Sequence, residues 1–161
     1  MTLKLELDPE TWPILSDASQ LENALLNLVF NARDASADTG CILIKVENVQ
    51  APVDIADIPP ALRQEGLVRI SVRDWGTGIP KSIIDKIVEP FFTTKDVGKG
   101  TGLGLSTVQG FTRHFEGSMQ VESEPGQGTT VSLYFPRLPG TEETAPPPHS
   151  QAMLLVVDDD N

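Results

Sequence analysis

Cysteine and positive charge are both scarce in this chain of 161 residues, and long apolar runs are missing. The one cysteine, Cys41, excludes an internal disulfide and a cysteine metal cluster, which fits a buried thiol in a reducing compartment. No apolar run is long enough to span a bilayer, and no signal peptide pattern occurs. We therefore expect a soluble, cytoplasmic chain without direct membrane contact.

The charge balance limits the partners of the chain. Lys and Arg number 12 against 23 Asp and Glu, which gives a formal net charge of −11. Such a chain repels the phosphates of nucleic acids and anionic lipid headgroups, so neither is expected as a main partner. An anionic ligand must then be held by local groups or by a metal ion. The apolar content of 39% is enough for one folded core.

The hydrophobic pattern predicts the secondary structure. Alternating apolar residues predict strands at 3–7, 42–46, 68–72, 119–121 and 131–135, and "WPIL" resembles a further short strand. Helical periodicity predicts helices at 17–35, with Ser16 or Asp17 as N-cap, at about 80–88 and at 103–115. Because the strands carry polar residues on their other face, we expect an α/β two-layer sandwich with helices on one side.

The composition changes near residue 137, which predicts a domain over residues 1–137. Residues 138–151 are rich in proline and are typical of an extended linker. Residues 152–161 join an apolar run to three aspartates. This pattern predicts the first strand of a second, truncated domain, and the alternative is a buried strand that ends in a charged turn.

The segment "GKGTGLGLS" at residues 98–106 has glycine at every second position from Gly98 to Gly104. It fits neither a Walker loop nor a dinucleotide fingerprint, because the spacing of both motifs differs. It runs into a predicted helix, whose N-terminal amides are suited to an anion. A flexible linker is the alternative interpretation.

Three asparagines, Asn23, Asn27 and Asn31, form one stripe on the first predicted helix. Asparagine is a weak helix former, so an idle surface would be expected to carry Lys, Glu or Gln instead. Its amide oxygen suits Mg²⁺, which takes few protein ligands. A plain solvated face is the alternative.

The stretch "VRDWGTGIP" places Asp74 in phase with the apolar residues of its strand, at the strand end and before a glycine turn. A buried carboxylate needs a partner, and an adenine amino group would serve as one. The alternative is an Asx-turn to Gly76. Taken alone, "GQGTT" is typical of a hairpin turn, and "PFFTTK" is either core or a site where Lys95 reaches a phosphate.

In this order "NLVFNARDA", "DWGTGIP", "PFFTTK", "GKGTGLGLS" and "GQGTT" resemble the N, G1, F, G2 and G3 boxes of the sensor histidine kinase catalytic domain, a member of the GHKL superfamily. The resemblance covers residues 1–137. It implies the Bergerat fold, in which three helices cover one face of a mixed five-stranded sheet, and it implies ATP and Mg²⁺ as cofactors.

The resemblance also implies roles for single residues. Asn31 would be the Mg²⁺ ligand with Asn27 assisting, Asp74 would bind the adenine amino group with support from Thr129, and Lys95 would act on the phosphates. Further nucleotide contacts are implied for Gly76, Gly78, Ile79, Phe92, Lys99, Gly100, Thr101, Gly102, Leu103, Gly104 and Leu105, with the glycines of the G2 box building a mobile lid.

The implied activity is transfer of the γ-phosphoryl group to a histidine on a dimerisation domain that this chain lacks, so the isolated chain, expected as a monomer, would bind ATP without phosphorylating itself. Related hydrolysing ATPases carry Glu where this chain has Asn27, and a neutral amide cannot act as general base. The alternatives are a nucleotide-sensing module without catalysis and a hydrolysing ATPase of the superfamily.

Two further features bear on the resemblance. Asp34 stands where many members carry a phosphate-binding Lys, so that role is assigned to Lys95 and Lys99 and not to Arg33. "LLVVDDD" resembles the start of a receiver domain with Asp158 and Asp159 as Mg²⁺ ligands, which implies a hybrid kinase. The sequence leaves open whether this parent kinase is membrane-anchored.

Overall fold

A mixed five-stranded sheet with helices on one face forms the domain, as expected from the sequence. The computed structural model describes residues 2–36, 40–50, 58, 66–89 and 104–138. In chain order the elements are β1 (Thr2–Leu7), α1 (Ala18–Ala35), β2 (Cys41–Val49), β3 (Leu67–Asp74), α2 (Gly104–His114), β4 (Ser118–Glu124) and β5 (Gly128–Pro136). The strand order is β1-β2-β3-β5-β4, in which β1 pairs with β2 in parallel and the other pairs are antiparallel.

Helix α1 forms where its cap and apolar stripe predict it. Asp17 is the N-cap, and its Oδ1 accepts a hydrogen bond of 3.0 Å from Gln20 N, which satisfies one of the free amides of the first turn. The buried face consists of Leu21, Ala24, Leu25, Leu28 and Ala32. This face packs on the sheet and against α2, and it joins the main core.

The core lies between the helices and the inward face of the sheet. In β3 the inward residues are Val68, Ile70 and Val72, all nearly inaccessible to solvent, and Asp74 continues this row at the strand end. Phe135 of β5 is fully buried and its ring centroid lies 5.9 Å from that of Phe111 on α2. Burial of this apolar surface is the main favourable contribution to folding.

Two predicted elements differ in the structure. Residues 81–88 form consecutive turns and not a regular helix, since Ile83, Lys86 and Glu89 each donate a hydrogen bond three residues back. The β-branched residues of this segment lower its helix propensity. "WPIL" contributes a single antiparallel bridge between Ile14 and Arg137 and not a strand, and Pro13 has no N–H to extend the pairing.

The remaining predictions on organisation lie outside the described residues. These are most of the linker at 138–151 and the receiver-like segment at 152–161, with Asp158 and Asp159. Within the part of the chain that is described, neither helix is long and apolar enough to cross a membrane.

Candidate functional site

Asp74 is the last residue of β3 and lies on the inward face of the sheet, where it is only 5% exposed. Its register partner on β5 is Thr129. Its Oδ1 accepts a hydrogen bond of 2.8 Å from Gly76 N, so the Asx-type contact that the sequence left open is present. Burial raises the pKa of Asp74, and the backbone N–H groups of Gly76 and Thr129 partly offset this increase. The result is a buried acceptor with capacity for further hydrogen bonds.

The turn after Asp74 is held against two other parts of the backbone. A Cβ on Gly76 would collide with the carbonyl of Ala35 at the end of α1, and a Cβ on Gly78, whose φ is +75°, would collide with the carbonyl of Glu124. Thr77 N donates to Ala35 O over 3.1 Å. These contacts alone require glycine at both positions, while their predicted role in admitting an adenine base stays a prediction.

Ser123 also lies beside this turn, although it was not predicted as a site residue. Ser123 Oγ accepts a hydrogen bond of 2.7 Å from Ile79 N and lies 2.8 Å from Thr129 Oγ1. Ser123 is in phase with Met119 and Val121, which were predicted to face inward. A polar residue at an inward strand position was the signal that could have identified it.

The C-terminal part of the asparagine stripe on α1 lies close to the first residue of α2. Asn27 and Asn31 are partly buried, whereas Asn23 is exposed. A Cβ added to Gly104, the first residue of α2, would lie 3.6 Å from Asn31 Nδ2. The structure therefore brings the Asn31 amide next to the end of the glycine-rich segment, while Leu105 is partly buried and packs against the core.

Arg33 directly precedes Asp34, the position where many members of the resembled family carry Lys. Its side chain makes contacts on the surface of α1. One guanidinium nitrogen lies 3.5 Å from Asp34 Oδ1, and the guanidinium carbon lies 5.1 Å from the centre of the Phe30 ring. Both contacts are within the same helix, and the assignment of the phosphates to Lys95 and Lys99 stays a prediction.

The other predicted contacts lie outside the described residues, and they are Phe92, Lys95, Lys99, Gly100, Thr101, Gly102 and Leu103. Among the residues that the structure does describe, no group of three or more His, Cys, Asp or Glu is placed to hold a metal ion.

The mixed sheet, the helices on its inward face and the buried acceptor at the end of β3 form an α/β domain of the two-layer sandwich type. Residues 16–139 match the model of the family described as histidine kinase-, DNA gyrase B- and HSP90-like ATPase. The chain belongs to this family.

Two relatives by sequence are sensor kinases. The chain is 43% identical over 140 residues to the sensor kinase CckA of Brucella abortus, which is 84% of this chain and 14% of CckA. It is 36% identical over 139 residues to the histidine-protein kinase AtoS of Escherichia coli, which is 86% of this chain and 20% of AtoS. The chain thus spans a small part of the length of these curated relatives.

Solved structures show the same fold. The catalytic domain of histidine kinase ThkA matches with a TM-score of 0.65 and 31% identity, over 86% of this chain and 81% of that domain. Full-length ShkA, solved in complex with AMPPNP, matches with a TM-score of 0.65 and 27% identity, over 84% of this chain and 25% of ShkA. The predicted fold class is therefore confirmed.

Proposed function

We propose that this domain binds MgATP and donates the γ-phosphoryl group to a histidine of a dimerisation domain outside these 161 residues, within two-component signalling. The observation that supports this function best is the buried carboxylate of Asp74, with Thr129 opposite. A carboxylate accepts hydrogen bonds only, so it favours the amino group of adenine over the carbonyl of guanine. When bound, ATP supplies the phosphoryl group that the histidine accepts.

The domain carries side chains whose oxygen atoms are suitable ligands for the Mg²⁺ ion of a bound nucleotide. Mg²⁺ commonly takes one or two protein oxygen ligands and completes its shell with phosphates and water. The amide oxygens of Asn27 and Asn31 are donors of this kind, and they lie one helical turn apart. The AMPPNP in the ShkA structure supports nucleotide binding by this fold.

Phosphoryl transfer is favoured over hydrolysis by the side chain at position 27. Asn27 is a neutral amide, so it cannot take a proton from an attacking water molecule. We assign the phosphates to Lys95, Lys99 and the backbone amides of Gly100, Gly102 and Leu103. We assign further partner roles to a dimerisation domain and a receiver domain of the same kinase.

Calorimetric titration of the 161-residue chain with ATP and ADP, with and without Mg²⁺, tests nucleotide binding. We expect Asn31→Ala to remove the dependence on Mg²⁺, and Asn23→Ala, on the exposed part of the same stripe, to leave it unchanged. No binding by the unaltered chain would contradict the proposal.

Transfer is tested by adding the dimerisation domain of the parent kinase and γ-labelled ATP. Acid-labile phosphohistidine on that domain is the expected product. Steady release of phosphate without an acceptor would favour a hydrolysing ATPase, and binding without transfer or hydrolysis would favour a sensing module.

A further inference from the structure

The hydroxyl group of Ser123 on β4 connects three parts of the site. It accepts a hydrogen bond of 2.7 Å from Ile79 N, which lies in the turn after β3. It donates a hydrogen bond of 3.0 Å to Gly128 O at the start of β5. It also lies 2.8 Å from Thr129 Oγ1. The Ser123 oxygen therefore contacts the turn after β3 and two consecutive residues at the start of β5.

The direction of the bond between the two hydroxyl groups follows from counting protons. A serine hydroxyl has one proton and two lone pairs. The proton of Ser123 is used for Gly128 O, and one lone pair receives the N–H of Ile79. The remaining lone pair then receives the proton of Thr129, whose own hydroxyl is left with lone pairs alone.

Ser123, Thr129 and Asp74 lie in one row across three neighbouring strands. Ser123 is the register partner of Thr129, and Thr129 is the register partner of Asp74. All three side chains lie on the inward face, since Asp74 and Thr129 are buried and Ser123 continues the row of Met119 and Val121. With the proton of Thr129 directed at Ser123, both Thr129 and Asp74 present acceptors at this end of the site.

We propose that Ser123 is a positioning residue, which holds the Thr129 hydroxyl as an acceptor so that this end of the site selects a purine with an amino group at position 6. The inference rests on the proposed function, because it assumes that a purine nucleotide binds beside Asp74. Without Ser123, the Thr129 hydroxyl is free to turn its proton toward the ligand, and the preference for an amino group weakens.

The test compares two ligands, ATP and purine riboside triphosphate, which has hydrogen in place of the 6-amino group. Their ratio of affinities, measured by calorimetry with Mg²⁺, reports recognition of that group. Ser123→Ala is expected to lower the ratio about threefold to tenfold, the effect of one hydrogen bond. Ser123→Thr keeps a hydroxyl group and is expected to restore the ratio.

Ser132→Ala is the matched control. Ser132 is 1% exposed on the other face of the sheet and accepts a hydrogen bond of 3.1 Å from Arg69 Nε. Its loss is expected to lower the melting temperature and to leave the ratio unchanged. Thermal unfolding of all variants separates a general loss of stability from a change in selectivity.

The outcomes are distinguishable. A ratio that Ser123→Ala leaves at the wild-type value would overturn the role of Ser123 and leave the proposed function intact. A wild-type chain that binds neither ligand would overturn the proposed function and this inference together. A ratio that falls equally in Ser132→Ala would show a structural effect, which also overturns the inference.

Discussion

Replacement of Asp74 by asparagine is the sharpest perturbation of the proposed site. The side chains have nearly the same shape, and the amide oxygen of asparagine is able to accept the 2.8 Å hydrogen bond from Gly76 N. The amide nitrogen is a donor, however, and it would meet the donor hydrogens of the adenine amino group. Asp74→Asn therefore changes the chemistry of the site while keeping its volume.

The expected loss of affinity follows from the type of hydrogen bond. Hydrogen bonds to charged groups contribute about 1.5–3 kcal/mol, so we expect ATP to bind Asp74→Asn about 10-fold to 150-fold more weakly, as measured by calorimetry. Purine riboside triphosphate lacks the amino group, so its affinity should change much less. Asp17→Asn, at the exposed N-cap of α1, is the control and should bind ATP as wild type does.

The same carboxylate predicts a dependence on pH. Burial raises the pKa of Asp74 above its ordinary value of 3.8, so the protonated form persists to higher pH in the folded chain than in the unfolded chain. The contribution of Asp74 to the free energy of unfolding is therefore fully present below the pKa that Asp74 has in the unfolded chain. It is lost as the pH rises through the higher pKa that Asp74 has in the folded chain. Asp74→Asn should consequently lose no stability at neutral pH through this group.

Protonation also removes an acceptor for the adenine amino group. The preference for ATP over purine riboside triphosphate should fall as the pH is lowered through the raised pKa of Asp74. Asp74→Asn has no carboxyl group to titrate at this position, so it should lose the part of this pH dependence that belongs to Asp74 and keep only the part that belongs to the bases of the two ligands. Equal weakening of both ligands by Asp74→Asn, or unchanged affinity for ATP, would refute the assignment of Asp74 to the base.

Three further predictions concern stability, measured as the free energy of unfolding in urea. Gly78→Ala should cost at least about 1 kcal/mol more than Gly126→Ala, because both have positive φ but only Gly78 faces a nearby backbone carbonyl, and equal costs would exclude that contact. Phe135→Ala should cost about 3–5 kcal/mol, since this ring is fully buried; a loss below 1 kcal/mol would contradict its place in the core. Asp17→Ala should cost about 1 kcal/mol and Asp17→Asn almost nothing, and a large loss in Asp17→Asn would mean that charge and not capping matters.

Much of the architecture was predictable because local patterns determine it. The alternation in residues 68–72 and 131–135 identified the inward faces of β3 and β5, and the apolar stripe with Asp17 identified α1. Asp74 was also predictable, as a charged residue in phase with buried neighbours. The exceptions were residues 81–88, where the apolar spacing resembled a helix but the chain forms turns, and "WPIL", which forms a single bridge and not a strand.

The sequence by itself determined the faces of the strands, the cap of α1 and the positions of Asp74 and the asparagine stripe, because these depend on neighbours a few residues away. Only the tertiary structure decided that β5 lies between β3 and β4 and that Gly78 has no space beside Glu124. It also decided that Ser123 contacts Ile79, 44 residues earlier in the chain. Such contacts form when distant segments pack, and no local period in the sequence encodes which segments will meet.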